Sequence, residues 1–460
     1  MSRLLRLVLA AVFVVVTPVA WAQPPSDSEL ELKVDAAVAK ALAEPGAAGY
    51  SIAVARAGKV ILAKGYGPAD VELSVPVSAD SIFRIGSVTK QFTAAAVMRL
   101  VEAGTISLDA TVQTYVPDFP VKQWPVTVRH LLTHTSGIWS YTEDEKFMGR
   151  DSSLELTPTE LIATFADKPL EFEPGTKFNY SNSAYYLLGA VVEKASGKPY
   201  AAYVQEELFG PLGLSHTRYE NNAEIIPGRA QGYTLNKEGK LANDKAIGAD
   251  VPGAAGSLLS TAGDLVRWEI ALSGGTAVKP ESYAQMTTSA VLADGKETRY
   301  GFGLAIRDWE GRRRISHGGG IFGFSSFLLT LPDDGLTVAV LSNSDAVNSG
   351  RVADTVARLA LGLAVFEPKD LALSPTDIAR FSGEFAFESI PLEIRFFDRD
   401  GKMWAQATGQ QENRLLYQGD GEFRASFDAT VKFVFAAGAD RADSFVLHQG
   451  GGTISAKRKK

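Results

Sequence analysis

The sequence predicts a fold of the α+β class, in which an antiparallel sheet flanked by helices is followed by a smaller β-domain. Two observations support this prediction. Strand-like segments stand both before and after a largely helical stretch over residues 105–275, an order that predicts one sheet completed by both ends of the domain, with a helical insertion between them. Beyond residue 370 the chain changes to short alternating segments separated by turns.

The first strands form a predicted hairpin. Residues 50–55 and 60–63 are rich in Ile, Val and Ala, and the Ala-Gly-Lys sequence between them favours a tight turn. Apolar residues at helical spacing predict one helix over 30–42 before this hairpin and another, largely buried, over 88–101. The hairpin therefore supplies the first two strands of the sheet.

Strand-like segments return after the helical stretch. Residues 301–306, 324–331 and 336–341 are apolar, and the last two are joined by a Pro-Asp-Asp-Gly turn. Six short segments between residues 392 and 448 then alternate apolar and polar residues. This spacing predicts a small β-barrel or sandwich at the end of the chain.

Composition excludes several classes of protein. The chain has 460 residues and a net charge of -7, whereas a nucleic-acid-binding protein needs a basic face. The basic run over 457–460 is short and terminal, and we interpret it as a solvated tail. Because the chain has no cysteine, it has neither disulfides nor thiolate metal sites. We expect no nucleic-acid partner, no metal and no cofactor.

The first 22 residues have the features of a secretory signal peptide. Two arginines precede an apolar run over 7–16, and the Ala-Trp-Ala sequence that ends at Ala22 fits the small-x-small cleavage pattern. The apolar run is too short to span a bilayer well, and an uncleaved anchor is the alternative. We expect cleavage after Ala22 and release to the periplasm or the medium, with no integral membrane span afterwards.

A serine and a lysine supply the first candidate catalytic pair. Ser87 and Lys90 are three residues apart at the start of a predicted helix, so the amine lies one turn from the hydroxyl and can take its proton. The helix N-terminus also favours negative charge near Ser87. Taken alone, the pair fits equally a Ser-capped helix with a surface lysine.

Two further motifs add polar groups. The phenol of Tyr180 can relay a proton, and the carboxamide of Asn182, two residues on, can hold Lys90 or a substrate carbonyl. His317 opens a Gly-rich segment, residues 318–320, along which a substrate could lie against the backbone. Taken singly, these motifs also fit a packed loop tyrosine and a Gly-rich bend.

Together, and in this order, the three motifs resemble the serine β-lactamase-like and penicillin-binding-protein superfamily. That superfamily includes class C β-lactamases, D-alanyl-D-alanine carboxypeptidases, D-aminopeptidases and esterases, and it has Ser-x-x-Lys, Tyr-x-Asn and Lys/His/Trp-x-Gly elements. The segments at 128–138, 173–189 and 255–261 are also similar to it, and the resemblance runs from residue 36 to residue 363.

The sequence predicts three parts of the chain, and the resemblance supports the second and the third. Residues 1–22 are the signal peptide and residues 23–366 form a β-lactamase/transpeptidase-like hydrolase domain. Residues 370–460 form an all-β accessory domain, similar to the lipocalin-like domains appended to some members. Two interpretations of this domain stay open, since it could stabilise the protein or cover the cleft and restrict substrate size.

The resemblance also implies the roles of the site residues. Ser87 is the acylated nucleophile, and Lys90 and Tyr180 share the removal of its proton once burial and their mutual field have lowered both pKa values. Which of the two is the base stays open. The backbone N–H groups of Ser87 and Gly320 form the oxyanion hole. The residues expected to position substrate are Asn182, His317, Gly318 and Gly319.

The implied activity is that of an exported serine hydrolase acting through an acyl-enzyme on a small peptide, amide or ester. D-amino-acid-containing peptides are the first expectation, simple esters the second and β-lactams the third. The His-Gly-Gly sequence at 317–319 departs from the Lys-Thr-Gly of most class C β-lactamases. A histidine that is neutral at pH 7 holds a carboxylate less firmly than lysine, although it could pass a proton.

Three other functions were compared with this one. An α/β-hydrolase would need a Gly-x-Ser-x-Gly elbow, which the chain lacks. A zinc enzyme could use His130 and His134, but no Glu lies between them, so both are interpreted as structural. A non-catalytic protein that binds peptidoglycan fragments on the same fold is the remaining alternative. An acyl adduct on Ser87 distinguishes the serine hydrolase from this binding protein.

Overall fold

The computed structural model describes residues 24–365, 368–388, 390, 392–426, 431–436, 440–449 and 452–459. The predicted signal peptide, residues 1–22, lies outside the described residues. The predicted α+β class is confirmed, with a mixed helix-and-sheet body followed by a closed β-barrel.

The body is built on a six-stranded antiparallel sheet with the order β3-β4-β5-β6-β1-β2. Its strands are β1 (Tyr50–Arg56), β2 (Lys59–Tyr66), β3 (Ala305–Trp309), β4 (Arg312–Ile321), β5 (Phe324–Leu331) and β6 (Leu336–Ser342). Strand β1 pairs with β6 from Tyr50 opposite Ser342 to Arg56 opposite Leu336. The two ends of the domain therefore meet inside one sheet, as the strand order of the sequence predicts.

Helices cover both faces of this sheet. The α-helices of the described chain are α1 (Asp27–Leu42), α2 (Thr89–Glu102), α3 (Val128–Leu132), α4 (Glu145–Arg150), α5 (Pro158–Ala166), α6 (Asn182–Ser196), α7 (Tyr200–Val204), α8 (Ala262–Ser273), α9 (Pro280–Met286), α10 (Ser349–Ala360) and α11 (Pro375–Phe381). Alternate residues of β1 point to opposite faces. Ile52 and Val54 pack in one core with α1 and α10, whereas Ala53 and Ala55 belong to the core that includes α2 and α8.

Small sheets brace the loops of the helical insertion. Two of them are two-stranded, Pro68–Asp70 with Val75–Pro76 and Tyr233–Leu235 with Leu241–Asn243. The third has three strands, with Leu258–Ser260 between Phe83–Arg84 and Arg218–Tyr219.

One predicted strand begins later than its pattern indicates. Strand β3 starts at Ala305, and residues 301–304 form a turn instead. The reason is Gly303, whose φ of +70° lies in the left-handed region that strands do not use. A Cβ at this position would lie 2.6 Å from the backbone oxygen of Lys90, so the turn packs directly against α2.

The C-terminal segment forms a closed eight-stranded barrel. Its strands are β7 (Gly383–Phe387), β8 (Glu393–Arg399), β9 (Lys402–Ala407), β10 (Asn413–Gly419), β11 (Glu422–Ala425), β12 (Lys432–Phe435), β13 (Ser444–Gln449) and β14 (Gly452–Arg458). Six of these were expected, whereas α11, β7 and β14 were not. Phenylalanine rings fill the interior at centroid distances such as 5.3 Å for Phe385–Phe445 and 5.1 Å for Phe396–Phe435.

The interpretation of the basic C-terminal run as a solvated tail is wrong. Lys457 and Arg458 belong to β14, which closes the barrel by pairing with β7. The Arg458 guanidinium donates hydrogen bonds to the backbone oxygens of Ala442 at 2.6 Å and Ser382 at 2.6 Å. These internal acceptors make the arginine part of the barrel structure. The division of the chain into domains at residues 366 and 370 stays a prediction.

None of the described helices is both long enough and apolar enough to span a bilayer.

A buried carboxyl group in α8 predicts how stability depends on pH. Glu269 is 2% exposed and accepts a hydrogen bond from the Tyr283 hydroxyl at 3.3 Å. Burial raises the pKa of Glu269 from 4.5 to about 7. Because the folded state binds this proton more tightly than the unfolded state, the stabilisation is complete below pH 4.5 and is lost as the pH rises through 7.

We expect Glu269→Gln, which keeps the size but cannot ionise, to remove this dependence. Its free energy of unfolding should exceed that of the wild type at pH 8.5 by about 3 kcal/mol and equal it near pH 4.5. Urea unfolding of both proteins at the two pH values measures the difference. Equal stabilities at pH 8.5 would contradict the burial argument.

Candidate active site

Ser87 lies in a short 3₁₀ turn, Gly86–Val88, directly before α2. Gly86 has a φ of +47°, and a Cβ there would lie 3.1 Å from both the backbone nitrogen and oxygen of Gly320. Glycine is therefore needed for the turn to approach strand β4 this closely. The approach brings the Ser87 segment and Gly320 together, as expected for the two sides of an oxyanion hole.

Lys90 is fully buried beside Ser87. Its Nζ donates hydrogen bonds to Ser87 Oγ at 3.0 Å, Asn182 Oδ1 at 2.8 Å and the backbone oxygen of Ala255 at 2.9 Å. All three acceptors are neutral, so none of them compensates a buried positive charge. Burial accordingly holds the pKa of Lys90 well below its usual value of 10.5.

Tyr180 lies on the other side of the same amine. The Lys90 Nζ is 4.8 Å from the centroid of the Tyr180 ring, and the phenol lies near enough to Ser87 for that hydroxyl to oppose in part the effect of burial on its pKa. Burial raises the pKa of Tyr180 above its usual value of 10. The expectation that burial lowers both pKa values is therefore wrong for Tyr180. Burial disfavours whichever form is charged, which is the ammonium for lysine but the phenolate for tyrosine.

Asn182 begins α6 and is oriented from several sides. Its backbone N–H donates to Ser140 Oγ at 3.1 Å, and its Nδ2 donates to Thr142 Oγ1 at 3.0 Å. These contacts turn Oδ1 toward Lys90. In the free protein the carboxamide therefore holds the amine rather than standing free for substrate.

His317 lies on β4 with its side chain turned into the protein. Its residue is 7% exposed, Nδ1 lies 2.7 Å from the backbone oxygen of Gly318, and Nε2 lies 2.9 Å from the Tyr300 hydroxyl. The carbonyl can only accept, so Nδ1–H donates to it and Nε2 accepts from Tyr300. Burial and the nearby Lys90 lower the pKa of His317 to about 3.

The expectation that His317 binds substrate or passes a proton has no geometric support, because both ring nitrogens are engaged within the protein. Tyr300, the partner of Nε2, was not identified from the sequence. It stands alone, 17 residues before His317, and no motif marks it.

The glycines after His317 have different roles in the packing. Strand β3 pairs with β4 only from Arg312 to Ser316, so the stretch beyond lies against the Ser87 turn instead. A Cβ on Gly319 would overlap the backbone oxygen of Ile85 and the hydroxyl of Ser326, whereas one on Gly318 would lie 3.2 Å from the Phe327 ring. A Cβ on Gly320 would meet nothing within 4 Å, so this position leaves open space.

A cavity of about 360 Å³ opens beside Ser87. Its polar wall includes Asn182 and Thr142, and Asp345 is the one charged side chain among the described residues that line it. Lys245 stands outside the lining, with its Nζ 4.1 Å from the centroid of the Phe322 ring and donating to the backbone oxygen of Met148. The apolar lining consists of Met148, Ile247, Val251, Pro252, Ile321 and Phe322.

The chain is similar to known proteins along most of its length. The family model described as Beta-lactamase matches residues 34–363. The chain is similar to penicillin-binding protein 4* of Bacillus subtilis, with 27% identity over 89% of this chain and 95% of that protein.

Solved structures give the same result. The octameric penicillin-binding protein homologue from Pyrococcus abyssi is similar with a TM-score of 0.69 and 28% identity, covering 93% of this chain and 100% of that one. The D-stereospecific amidohydrolase from Streptomyces sp. is similar with a TM-score of 0.61 and 28% identity, covering 73% of this chain and 98% of that one.

Proposed function

The chain belongs to the Beta-lactamase family and is a serine hydrolase, and we propose that it is exported and hydrolyses amide bonds of D-aminoacyl substrates through an acyl-enzyme on Ser87. The observation that carries this proposal is the buried Lys90 amine, 3.0 Å from the Ser87 hydroxyl and held by neutral acceptors alone. Such a setting favours a neutral amine that can accept a proton.

In this mechanism Lys90 is the general base. Two of its N–H groups are directed by Asn182 and Ala255, so the lone pair of the neutral amine faces Ser87 Oγ. Lys90 accepts the hydroxyl proton while Oγ attacks the substrate carbonyl, and the carbonyl oxygen receives hydrogen bonds from the backbone N–H groups of Ser87 and Gly320. Each such donor contributes about 3 kcal/mol in the transition state.

Tyr180 acts as a proton donor. Since its raised pKa keeps the phenol protonated, it gives its proton to the leaving amine when the C–N bond breaks and regains one from Lys90. Water then attacks the acyl-enzyme while Lys90 accepts one of its protons, and Lys90 gives that proton to Ser87 Oγ when the ester C–O bond breaks and the acid is released. Every group in the cycle returns to its starting protonation state.

The charge of the cavity supports amine-bearing substrates over carboxylate-bearing ones. Asp345 gives the lining a negative charge, and the His317 imidazole is uncharged with both nitrogens engaged. A substrate carboxylate would therefore lack a cationic partner in the described lining, whereas an ammonium group would be attracted. The similar Streptomyces protein is named a D-stereospecific amidohydrolase, which agrees with this substrate class.

One labelling experiment tests the proposed function. A fluorophosphonate probe should label the native protein, and mass spectrometry should place the adduct on Ser87. Absence of any adduct, together with retained binding of peptidoglycan fragments, would instead indicate a non-catalytic binding protein.

The intact mass of the labelled, exported protein should correspond to a chain that begins at Gln23, and a mass that begins at Met1 would contradict export by cleavage.

A substrate panel tests the preference for amines. We expect D-aminoacyl amides to be hydrolysed with higher kcat/KM than a D-Ala-D-Ala peptide, p-nitrophenyl acetate or nitrocefin. Asp345→Asn should lower kcat/KM for the D-aminoacyl amide by about 5-fold at low salt, since an exposed charge contributes at most about 1 kcal/mol, and should leave p-nitrophenyl acetate unchanged. Asp333→Asn, in the exposed β5–β6 turn, is the matched control. Fast nitrocefin turnover would contradict this ranking and indicate a β-lactamase.

A further inference from the structure

His134 holds the backbone on both sides of Tyr180. It follows the short helix α3 and is fully buried. Its backbone oxygen accepts a hydrogen bond from the Asn179 N–H at 2.9 Å, and its Nδ1 accepts one from the Ser181 N–H at 3.1 Å. Because Asn179 and Ser181 are the immediate neighbours of Tyr180, one residue holds a backbone N–H group on each side of Tyr180.

The same residue also holds the ring of Tyr180. The centroids of the His134 and Tyr180 rings are 4.1 Å apart, with an angle of 33° between the planes. The Tyr180 ring also lies near the catalytic amine, since Lys90 Nζ is 4.8 Å from its centroid. Tyr180 is therefore held through its backbone and its ring close to Ser87 and Lys90.

The chemistry of His134 suits a fixed acceptor. Burial holds the pKa of His134 well below its usual value of 6.5, so the ring is neutral. Because Nδ1 accepts from Ser181, the proton resides on Nε2. This buried Nε2 has no hydrogen-bond partner among the residues that the structure describes.

The backbone of His134 is also strained. Its φ of +55° lies in the left-handed region, which few residues other than glycine adopt. Strained residues and unsatisfied buried groups persist where the surrounding structure imposes them, and they concentrate at functional sites. Here both features occur in a residue that contacts Tyr180 directly.

We propose that His134 is a positioning residue for the reaction, which fixes the Tyr180 phenol near Ser87 through the backbone N–H groups of Asn179 and Ser181 and through the face of its ring. This inference rests on the proposed function, since it concerns the placement of a proton donor in the acyl-transfer site. His134 is not among the described residues that line the cavity. Its ring lies nearest to Tyr180, at 4.1 Å between centroids, and it also packs on Tyr185 and Tyr300, each at 4.9 Å.

His130 provides a matched control four residues earlier. Its Nδ1 also accepts a backbone hydrogen bond, from the Thr127 N–H at 3.3 Å, but that bond belongs to the capping box of its own helix. The two histidines thus make the same type of bond. His130 makes it within its own helix, whereas His134 makes it to the segment that contains Tyr180.

The test compares His134→Asn with His130→Asn. Asparagine keeps a short side-chain acceptor and tolerates a positive φ, but it removes the ring that packs on Tyr180. We expect His134→Asn to lower kcat by about 10²-fold, as small displacements of catalytic groups do, with KM changed less than 3-fold. His130→Asn should keep kcat within 2-fold of the wild type.

A double-mutant cycle separates positioning from a general structural role. If His134 acts through Tyr180, the variant with both His134→Asn and Tyr180→Phe should be no slower than Tyr180→Phe alone. Losses that multiply, or a His134→Asn variant that keeps kcat within 3-fold, would overturn the proposal. A failure of the proposed function is distinguishable, because Ser87→Ala would then retain activity.

The protonation of the His134 ring can be measured in the wild-type protein, so this test does not depend on whether a variant folds. The imidazole ¹⁵N NMR spectrum of His134 should show an unprotonated Nδ1 and a protonated Nε2 throughout pH 6 to 9. A proton on Nδ1 would overturn the proposal, since that nitrogen could not accept from Ser181.

Discussion

Replacing Ser87 with alanine is expected to lower kcat by about 10⁴-fold or more on every substrate that the wild type hydrolyses. The substitution removes the nucleophile of the covalent pathway, while the cavity and the oxyanion donors stay in place. Folding should be nearly unaffected, since the hydroxyl of Ser87 is partly exposed and its loss removes only contacts with Lys90 and Tyr180.

Steady-state kinetics and thermal unfolding of the same preparations measure both effects. Ser81→Ala, in which a nearby hydroxyl that accepts from the Ser78 N–H is lost, is the control and should keep normal kcat. A Ser87→Ala protein that retains more than about a hundredth of wild-type kcat would contradict the assignment of the nucleophile.

Replacing Lys90 with methionine is expected to have the second largest effect, a loss of about 10³-fold or more in kcat/KM. Methionine keeps the length and packing of the buried side chain but cannot accept the Ser87 proton. General-base catalysis by a positioned group contributes about 10² to 10⁴-fold. Some stability should also be lost, because Asn182 Oδ1 and the backbone oxygen of Ala255 lose the donor they share.

The pH dependence supplies a second measure of the same role. Since burial lowers the pKa of Lys90, kcat/KM of the wild type should rise with pH along a limb whose apparent pKa lies well below 10.5. Lys90→Met should lose that limb.

Tyr180→Phe should keep the limb at a rate reduced about 10²-fold. The variant that combines it with Lys90→Met should be little slower than Lys90→Met alone, because residues of one catalytic unit are not additive. If the rising limb of the kcat/KM profile disappeared in Tyr180→Phe, the limb would belong to Tyr180, and Lys90 would not be the base.

Local patterns in the sequence determined much of the architecture. Alternation and turn chemistry predicted the β1–β2 hairpin and the β5–β6 pair, because side-chain period and tight-turn residues are properties of a few consecutive positions. The order of strands around the helical insertion predicted one shared sheet, which β1 and β6 form. The resemblance carried by the ordered motifs led to the correct family.

Features that depend on long-range contacts could not be predicted in this way. Arg458 looked like part of a charged tail, but its acceptors are carbonyls up to 78 residues away in sequence. Gly303 interrupted an apolar run because its turn had to fit against α2, which only the packed domain specifies.

The electrostatics of the site were likewise decided by the tertiary structure. The sequence determined which residue types stand at positions 87, 90 and 180 and how far apart they are along the chain. Burial in the folded protein then lowered the pKa of Lys90 and raised that of Tyr180. The tautomer of His317 followed from the Gly318 carbonyl, which can only accept the Nδ1 proton. A pKa and a tautomer depend on desolvation and on partners from distant segments, so they exist only once the chain has folded.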